Sequence, residues 1–333
     1  MKRRPTVIDV AKRAHVGAST VSRFLRGVAV RPEIAVRVAK AVEALGYHPD
    51  ETARALRGGR SRTVGVILPK VSNVFFSQCV QVMEEEARRR GCAVILLTHQ
   101  DRSAQQLEHL KTLRRYRVDG VIVTATAGTT IEEIRSVLPE VPVVAFDSLF
   151  STEVDSVVFK NREAACIATE HLLRHGYKSV ACVTGKPEVY SFRERADGYR
   201  EAMANRRLKP HMITAPNYEQ LRIVLAMAIR GKHRPAALLS LSDLATLTIL
   251  TTLAELELTH TIPLIGFDDF GFAPLVDPPL TVIRQPIEQM VRCAINALFR
   301  RIDGESNEAP QTIMLSGDLI CRRSCGCVAT RLH

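Results

Sequence analysis

From Thr63 onward the chain repeats one pattern to its end: short apolar runs separated by longer amphipathic stretches. Val64-Gly-Val-Ile-Leu68, Ala93-Val-Ile-Leu-Leu97, Gly120-Val-Ile-Val123 and Val141-Pro-Val-Val-Ala-Phe146 make a first series. Ser179-Val-Ala-Cys-Val-Thr184, Ala236-Ala-Leu-Leu-Ser240 and Pro263-Leu-Ile-Gly-Phe267 make a second. Runs this short, without polar alternation, suit strands buried on both faces, and the stretches between them suit crossover helices. The pattern predicts an α/β core of two doubly wound parallel-sheet subdomains in tandem, with a cleft facing the carboxyl ends of the strands.

Polar residues just past strand ends are therefore the candidate ligand contacts. Asp147 follows Phe146, Ser242 and Asp243 follow Leu241, and Asp268 and Asp269 follow Phe267. Ser72, Asn73 and Phe75 lie in the loop after the first strand, and Arg195 falls in Phe192-Arg-Glu-Arg-Ala-Asp-Gly-Tyr199. Carboxylates that accept hydroxyl hydrogen bonds, a forked guanidinium and an aromatic face suit a sugar or a small polar anion. Taken singly, each fits a helix cap or a turn equally well; their joint placement points to a site.

The first sixty residues read differently. In Thr6-Val-Ile-Asp-Val-Ala-Lys-Arg-Ala14, Val7, Val10, Ala11 and Ala14 share a helical face; after a short break, Val21, Phe24 and Leu25 do the same in a second helix. Ser19, Thr20, Ser22, Arg23 and Arg26 are left outside, a small, polar and cationic set suited to base edges and phosphates. Two short helices so tightly joined match a helix-turn-helix whose second helix enters the major groove. A third helix is predicted from Pro32 to Leu45, ended by Gly46, with Tyr47 packing back. Asp50-Glu-Thr-Ala-Arg-Ala-Leu-Arg57, before Gly58-Gly59, is a helix too short to stand alone in water. Leu56 and Arg57 place an apolar wedge beside a guanidinium, a minor-groove pair, although an interdomain linker would have the same glycines.

Charge follows the same division. Residues 1–62 carry fourteen Lys and Arg against five Asp and Glu, so +9 of the chain's +11 sits on its first fifth. A basic head on a near-neutral body suggests a polyanion-binding module joined to one with another task. Met1-Lys-Arg-Arg-Pro5 precedes no apolar run of signal or membrane length, which predicts a cytoplasmic, nucleoid-associated protein. Gly65 stands alone in the first strand, and the absence of a glycine-rich phosphate loop or Gly-x-Ser-x-Gly argues against an enzyme. A sugar-binding protein without a regulatory role, or a nonspecific DNA-binding protein, would each account for only one of the two modules.

Of eight cysteines, Cys79, Cys92, Cys166, Cys182 and Cys293 fall in apolar segments and read as small buried hydrophobes. Cys321, Cys325 and Cys327 cluster, with His333 the only nearby fourth ligand and no paired zinc spacing, so no metal and no cofactor are expected.

Asp9-Val-Ala11, Thr20-Val-Ser-Arg23, Leu45-Gly-Tyr-His-Pro49, Arg60-Ser61, Val118-Asp-Gly-Val-Ile122, Glu170-His-Leu-Leu173, Gly266-Phe-Asp-Asp269, Pro278-Pro-Leu-Thr-Val-Ile-Arg-Gln285 and Arg323-Ser-Cys-Gly326 resemble, in this order, the LacI/GalR family of transcriptional regulators. The resemblance implies a DNA-reading headpiece (residues 1–49), a hinge helix and linker (50–62) that fold on operator DNA, and a periplasmic-binding-protein-like effector core (63–333). Within the core it implies an N-subdomain of about 63–160 plus 287–315 and a C-subdomain of about 161–286 plus 316–327. It further implies homodimers on near-palindromic double-stranded operators, most often as repressors, controlled by a small-molecule effector of carbohydrate or related type. Carried over by position, Ala18, Ser19 and Arg23 would read the major groove, Thr20 and Ser22 would hold phosphates, and Leu56 and Arg57 would occupy the minor groove. Asn73, Phe75, Asp147, Arg195, Ser242, Asp268 and Gln285 align with effector contacts.

The chain departs from the family pattern at several positions. His15 replaces a turn glycine, Gly17 a serine cap, Arg31-Pro32 a capping serine and Thr248 a glycine, while Lys160-Asn161 stands where an acidic residue is common. No leucine heptad follows Cys327, so a tail-driven tetramer is not expected.

Overall fold

The computed structural model describes residues 5–25, 28–47, 60–185, 188–305 and 308–327. The chain divides into two units, Met1–Arg62 and Thr63–His333. The expected hinge helix, with Leu56 and Arg57, and also Arg26 and His333, lie outside the described residues.

The first unit is a three-helix cluster: α1 (Val7–Ala14), α2 (Ala18–Leu25) and α3 (Pro32–Leu45). Thr6 and Asp9 form a reciprocal capping box at the start of α1, which satisfies two otherwise orphaned N–H groups. His15 ends α1 in the left-handed region (φ 53°), so histidine does take the backbone that a turn glycine would. Val10, Ala11, Ala14, Val21, Val38 and Ala41 are buried together, with Phe24, Leu25, Ile34, Leu45 and Tyr47 packed around them. The periodicity alone dictates this core, because each helix is too short to persist without it. Gly46 closes α3 at φ 57°, and Tyr47 N–H donates to the Val42 carbonyl at 3.0 Å.

The second unit holds two six-stranded sheets. In the first, β1 (Thr63–Leu68), β2 (Ala93–Thr98), β3 (Gly120–Val123), β4 (Val143–Phe146), β5 (Asp155–Phe159) and β11 (Thr312–Leu315) run in the order β11-β5-β4-β3-β1-β2. The second contains β6 (Val180–Thr184), β7 (His211–Thr214), β8 (Ala237–Ser240), β9 (Leu264–Phe267), β10 (Thr281–Arg284) and β12 (Asp318–Ile320), ordered β12-β10-β9-β8-β6-β7. The two orders are position-by-position equivalents, so the tandem repeat is structural as well as sequential. Every pairing is parallel except β10 with β12.

The crossovers are α4 (Val74–Arg89), α5 (Ser103–Arg115), α6 (Ile131–Val137), α7 (Asn161–Arg174), α8 (Tyr190–Asn205), α9 (Tyr218–Arg230), α10 (Asp243–Glu255) and α11 (Ile287–Ile302). Strands β1, β3, β6, β8 and β9 are buried almost throughout, which explains their unbroken apolar sequences.

The chain passes between the two sheets three times, after β5, after β10 and after β11. These passages lie side by side: Lys160 N–H donates to the Leu315 carbonyl at 2.8 Å. Gly317 lies so close to Arg284 that a Cβ there would sit 2.2 Å from its carbonyl oxygen, so only glycine fits. No described helix is long and apolar enough to cross a membrane.

Candidate DNA-reading helix and effector cleft

On α2, Ala18, Ser19 and Arg23 are exposed and Thr20 and Ser22 half-buried, while Val21 is fully buried. One face thus anchors the helix and the other presents small side chains and a single guanidinium. The Gly17 carbonyl accepts from the N–H groups of Thr20 and Val21 at 3.0 and 3.2 Å, so the helix starts there without a side-chain cap. Among the described residues the Arg23 side chain makes one long contact, Nη2 to the Ala29 carbonyl at 3.4 Å, which leaves its fork available for a guanine edge.

In the core, a cavity of about 420 Å³ is lined by all seven residues singled out for effector contact: Asn73, Phe75, Asp147, Arg195, Ser242, Asp268 and Gln285. Topology brings them together, since β4 delivers Asp147, β9 Asp268, β10 Gln285 and β8 Ser242 at their carboxyl ends. Arg195 is the centre. Its side chain is buried, with Nε 2.7 Å from Asn161 Oδ1, Nη1 2.7 Å from the Leu241 carbonyl, and the guanidinium 3.7 Å above the Phe267 ring. Asn161, half of the Lys160-Asn161 departure, is held in turn by its own Nδ2 donating to the Phe159 carbonyl at 3.1 Å. The departure therefore orients the cationic centre of the cleft, a role the sequence reading did not assign.

Burial pushes the Asp147 carboxyl up to about 7 and that of Asp268 up to about 6. The Arg195 charge pulls both back down, and Asp268 pushes Asp147 further up. Gln285 Nε2 donates to Asp268 Oδ1 at 2.6 Å. Asp147 Oδ1 and Gln285 Oε1 are buried acceptors with no donor among the described residues.

Other expected contacts carry structural duties as well. Asn73 caps α4, accepting from Phe76 N–H at 3.2 Å, and donates through Nδ2 to Asp243 Oδ1 at 2.9 Å. Ser242 caps α10 by accepting from Ala245 N–H at 3.1 Å. Phe75 is almost wholly buried, its ring parallel to that of Phe146 at 6.3 Å, so it closes the cavity floor more than it offers a face. Asp269, expected at the cleft because it follows β9, is not one of the cavity's residues. Both its carboxylate oxygens accept from Arg322 Nη2, at 2.9 and 3.1 Å, because successive residues after a strand point to opposite sides. Tyr190, Phe192, Tyr218 and Asp243 also line the cavity. They obey the same strand-end rule, but β7, which positions Tyr218, was not foreseen.

A three-helix headpiece with an exposed polar helix face, joined to a two-sheet core around a polar cleft, defines a ligand-responsive DNA-binding regulator. Family models match both parts: residues 6–50 fit the bacterial regulatory proteins of the lacI family, and residues 61–316 fit the periplasmic binding proteins and sugar binding domain of the LacI family. The chain belongs to the LacI family; it is a DNA-binding transcriptional regulator and not an enzyme. The HTH-type transcriptional repressor PurR of Vibrio campbellii is 31% identical over 314 residues, covering 91% of this chain and 93% of that protein. The HTH-type transcriptional regulator PtxS of Pseudomonas plecoglossicida is 31% identical, covering 96% of each chain. The lac repressor dimer bound to operator and an anti-inducer shares the fold, with a TM-score of 0.86 at 21% identity over 97% of this chain and 99% of that one.

Proposed function

We propose that the protein is a repressor that binds a near-palindromic operator as a homodimer and is controlled by a carbohydrate or closely related polyhydroxylated metabolite in the core cleft. Residues 1–49 act as the headpiece and 50–62 as hinge and linker. The effector lies between an N-subdomain (63–160 plus 287–315) and a C-subdomain (161–286 plus 316–327). Ala18, Ser19 and Arg23 read bases and Thr20 and Ser22 hold phosphates, with Arg26 and Arg57 as further cationic contacts and Leu56 as the minor-groove wedge. The protein works in the cytoplasm, on the nucleoid.

The observation that carries the effector class is a pair of buried acceptors with no donor among the described residues, Asp147 Oδ1 and Gln285 Oε1, on residues lining a cavity of about 420 Å³. Buried acceptors without donors are costly, and a ligand rich in hydroxyl groups supplies donors. The volume suits a mono- or disaccharide-sized molecule. The solved complex of the transcriptional regulator CelR with cellobiose, 26% identical with a TM-score of 0.70, agrees with this class.

The test recovers genomic fragments retained by the purified protein at near-physiological salt, where purely electrostatic binding is suppressed. A few fragments sharing a palindrome support the regulator, and their release or tightening by one member of a sugar panel supports the effector class. Uniform retention of all fragments would leave only nonspecific binding, and a panel without effect would remove the carbohydrate reading.

A further inference from the structure

The segment after β12 turns back under the second sheet and meets the C-terminal end of α7. His171 and His175 lie one helical turn apart on one face of α7 and its cap. Opposite them are Cys325 and Cys327. Four ligand atoms, His171 Nε2, His175 Nε2, Cys325 Sγ and Cys327 Sγ, lie within 4.8 Å of one another. The closest approaches are 3.3 Å from His171 Nε2 to Cys325 Sγ, 3.2 Å from His175 Nε2 to Cys327 Sγ, and 3.2 Å between the two sulfurs. A tetrahedral zinc ion with Zn–S of about 2.3 Å and Zn–N of about 2.0–2.1 Å spaces its ligand atoms roughly 3.3–3.8 Å apart. The short approaches would open by a few tenths of an ångström and the longest separation, within 4.8 Å, would close by up to about 1 Å to reach that shape.

The surrounding structure is built for the purpose. Gly326, between the cysteines, has φ 86°, and a Cβ there would fall 2.2 Å from the Tyr177 hydroxyl, so only glycine lets the Cys-Gly-Cys turn fold both sulfurs to one side. Ser324 pins the turn, donating from Oγ to the Leu264 carbonyl at 2.6 Å and accepting from Thr281 N–H at 2.8 Å. The Thr281 hydroxyl stands 3.1 Å from Cys325 Sγ, placed to support a thiolate from outside the ligand set. We propose that His171, His175, Cys325 and Cys327 bind one zinc-class divalent cation, which fastens the Cys-Gly-Cys turn to the end of α7. Two imidazoles and two thiolates in a closed tetrahedron favour zinc over hard cations and leave no open position for catalysis. The site lies at the N-terminal ends of β9 and β10, away from the cleft at their carboxyl ends, so its role is structural.

The experiment uses the full-length protein, reduced and stripped with chelator, titrated with zinc and separately with cobalt. One equivalent per chain should bind. Cobalt should give the visible absorption of a tetrahedral ion with a thiolate-to-metal charge-transfer band, and zinc should raise the unfolding temperature. His175 is exposed, so His175→Ala folds without the metal and should weaken zinc binding at least about a hundred-fold. Cys327→Ser should do the same, while Cys321→Ser, outside the four, should bind like the parent. No stoichiometric binding would overturn the assignment, as would a cobalt spectrum unchanged by His175→Ala and Cys327→Ser. So would a Cys325–Cys327 disulfide that forms in air whether or not zinc is present.

Discussion

Asp147 and Asp268 occupy the same position in the two halves of the core. Each directly follows the equivalent strand of its sheet, each has a left-handed backbone (φ 51° and 70°), and each N–H extends the ladder by one bond, to Val157 at 3.0 Å and Ile283 at 2.9 Å. Aspartate tolerates this conformation better than most residues, so the turn aims one carboxylate from each half into the cleft. The duplicated fold thus presents a symmetric acidic pair to one asymmetric cation, Arg195.

That pair makes core stability depend on pH. Both carboxyls titrate above their ordinary value of 3.8 when folded, at about 7 and about 6. Between these limits the folded state holds protons that the unfolded chain has released, so stability falls as pH rises from about 4 to about 7 and then levels. Thermal unfolding of the ligand-free protein across this range should show the decline, and Asp147→Asn should flatten it. An unchanged slope in the variant would mean that other groups set it.

Arg195→Ala tests structure before it tests ligand binding. Removing the guanidinium leaves two buried carboxyls without their cation and breaks the bonds to Asn161 and Leu241. Loss of about 3–5 kcal/mol is expected, seen as a lowered denaturation midpoint. Adding Asp147→Asn should recover part of it, whereas strict additivity would place the two residues out of contact.

Asn73 joins the two sheets' domains through Asp243. Asn73→Ser keeps a capping oxygen but is too short to reach across. The free energy of unfolding should therefore change by less than about 1 kcal/mol, while effector affinity falls about ten-fold, the value of one charge-assisted hydrogen bond. Calorimetric titration with the effector found in the sugar panel separates these outcomes.

Arg23→Ala removes an exposed side chain from a helix held by Val21, so headpiece stability should be unaffected. Discrimination at one base of each half-site should relax by about 1–3 kcal/mol. Binding-site selection with the variant checks this, and an unchanged base preference would assign the contact to Ser19 or Ala18.

The sequence made the architecture plain wherever a strand was an unbroken apolar run. Strands such as Gly120–Val123, buried on both faces, leave that run, and edge strand β2 carries it too. Five strands were unforeseen: β5 is fully buried but opens on the polar pair Asp155-Ser156, β7 begins with His211, β10 ends in an exposed Arg284, and edge strands β11 and β12 are only half-buried. Most cleft residues were found because fold class fixes where strand ends converge, whereas Gln285 came only from the family resemblance. Their bonding was not, since Asn161 orienting Arg195 and Asn73 reaching Asp243 depend on three-dimensional neighbours. For the same reason the cysteine cluster showed no histidine partners, because His171 stands 154 residues before Cys325.

The three passages between the sheets also set an order of assembly during synthesis. The helices of the headpiece are complete by Leu45, but the first sheet lacks β11 until Leu315 has been made, and α11, which packs against that sheet, comes only after β10. A ribosome therefore releases a chain whose DNA-reading end can fold early, while neither half of its effector core can finish until β11 and β12 have emerged. Truncation near the C-terminus would accordingly disable ligand control in both halves at once and spare the small basic domain made first.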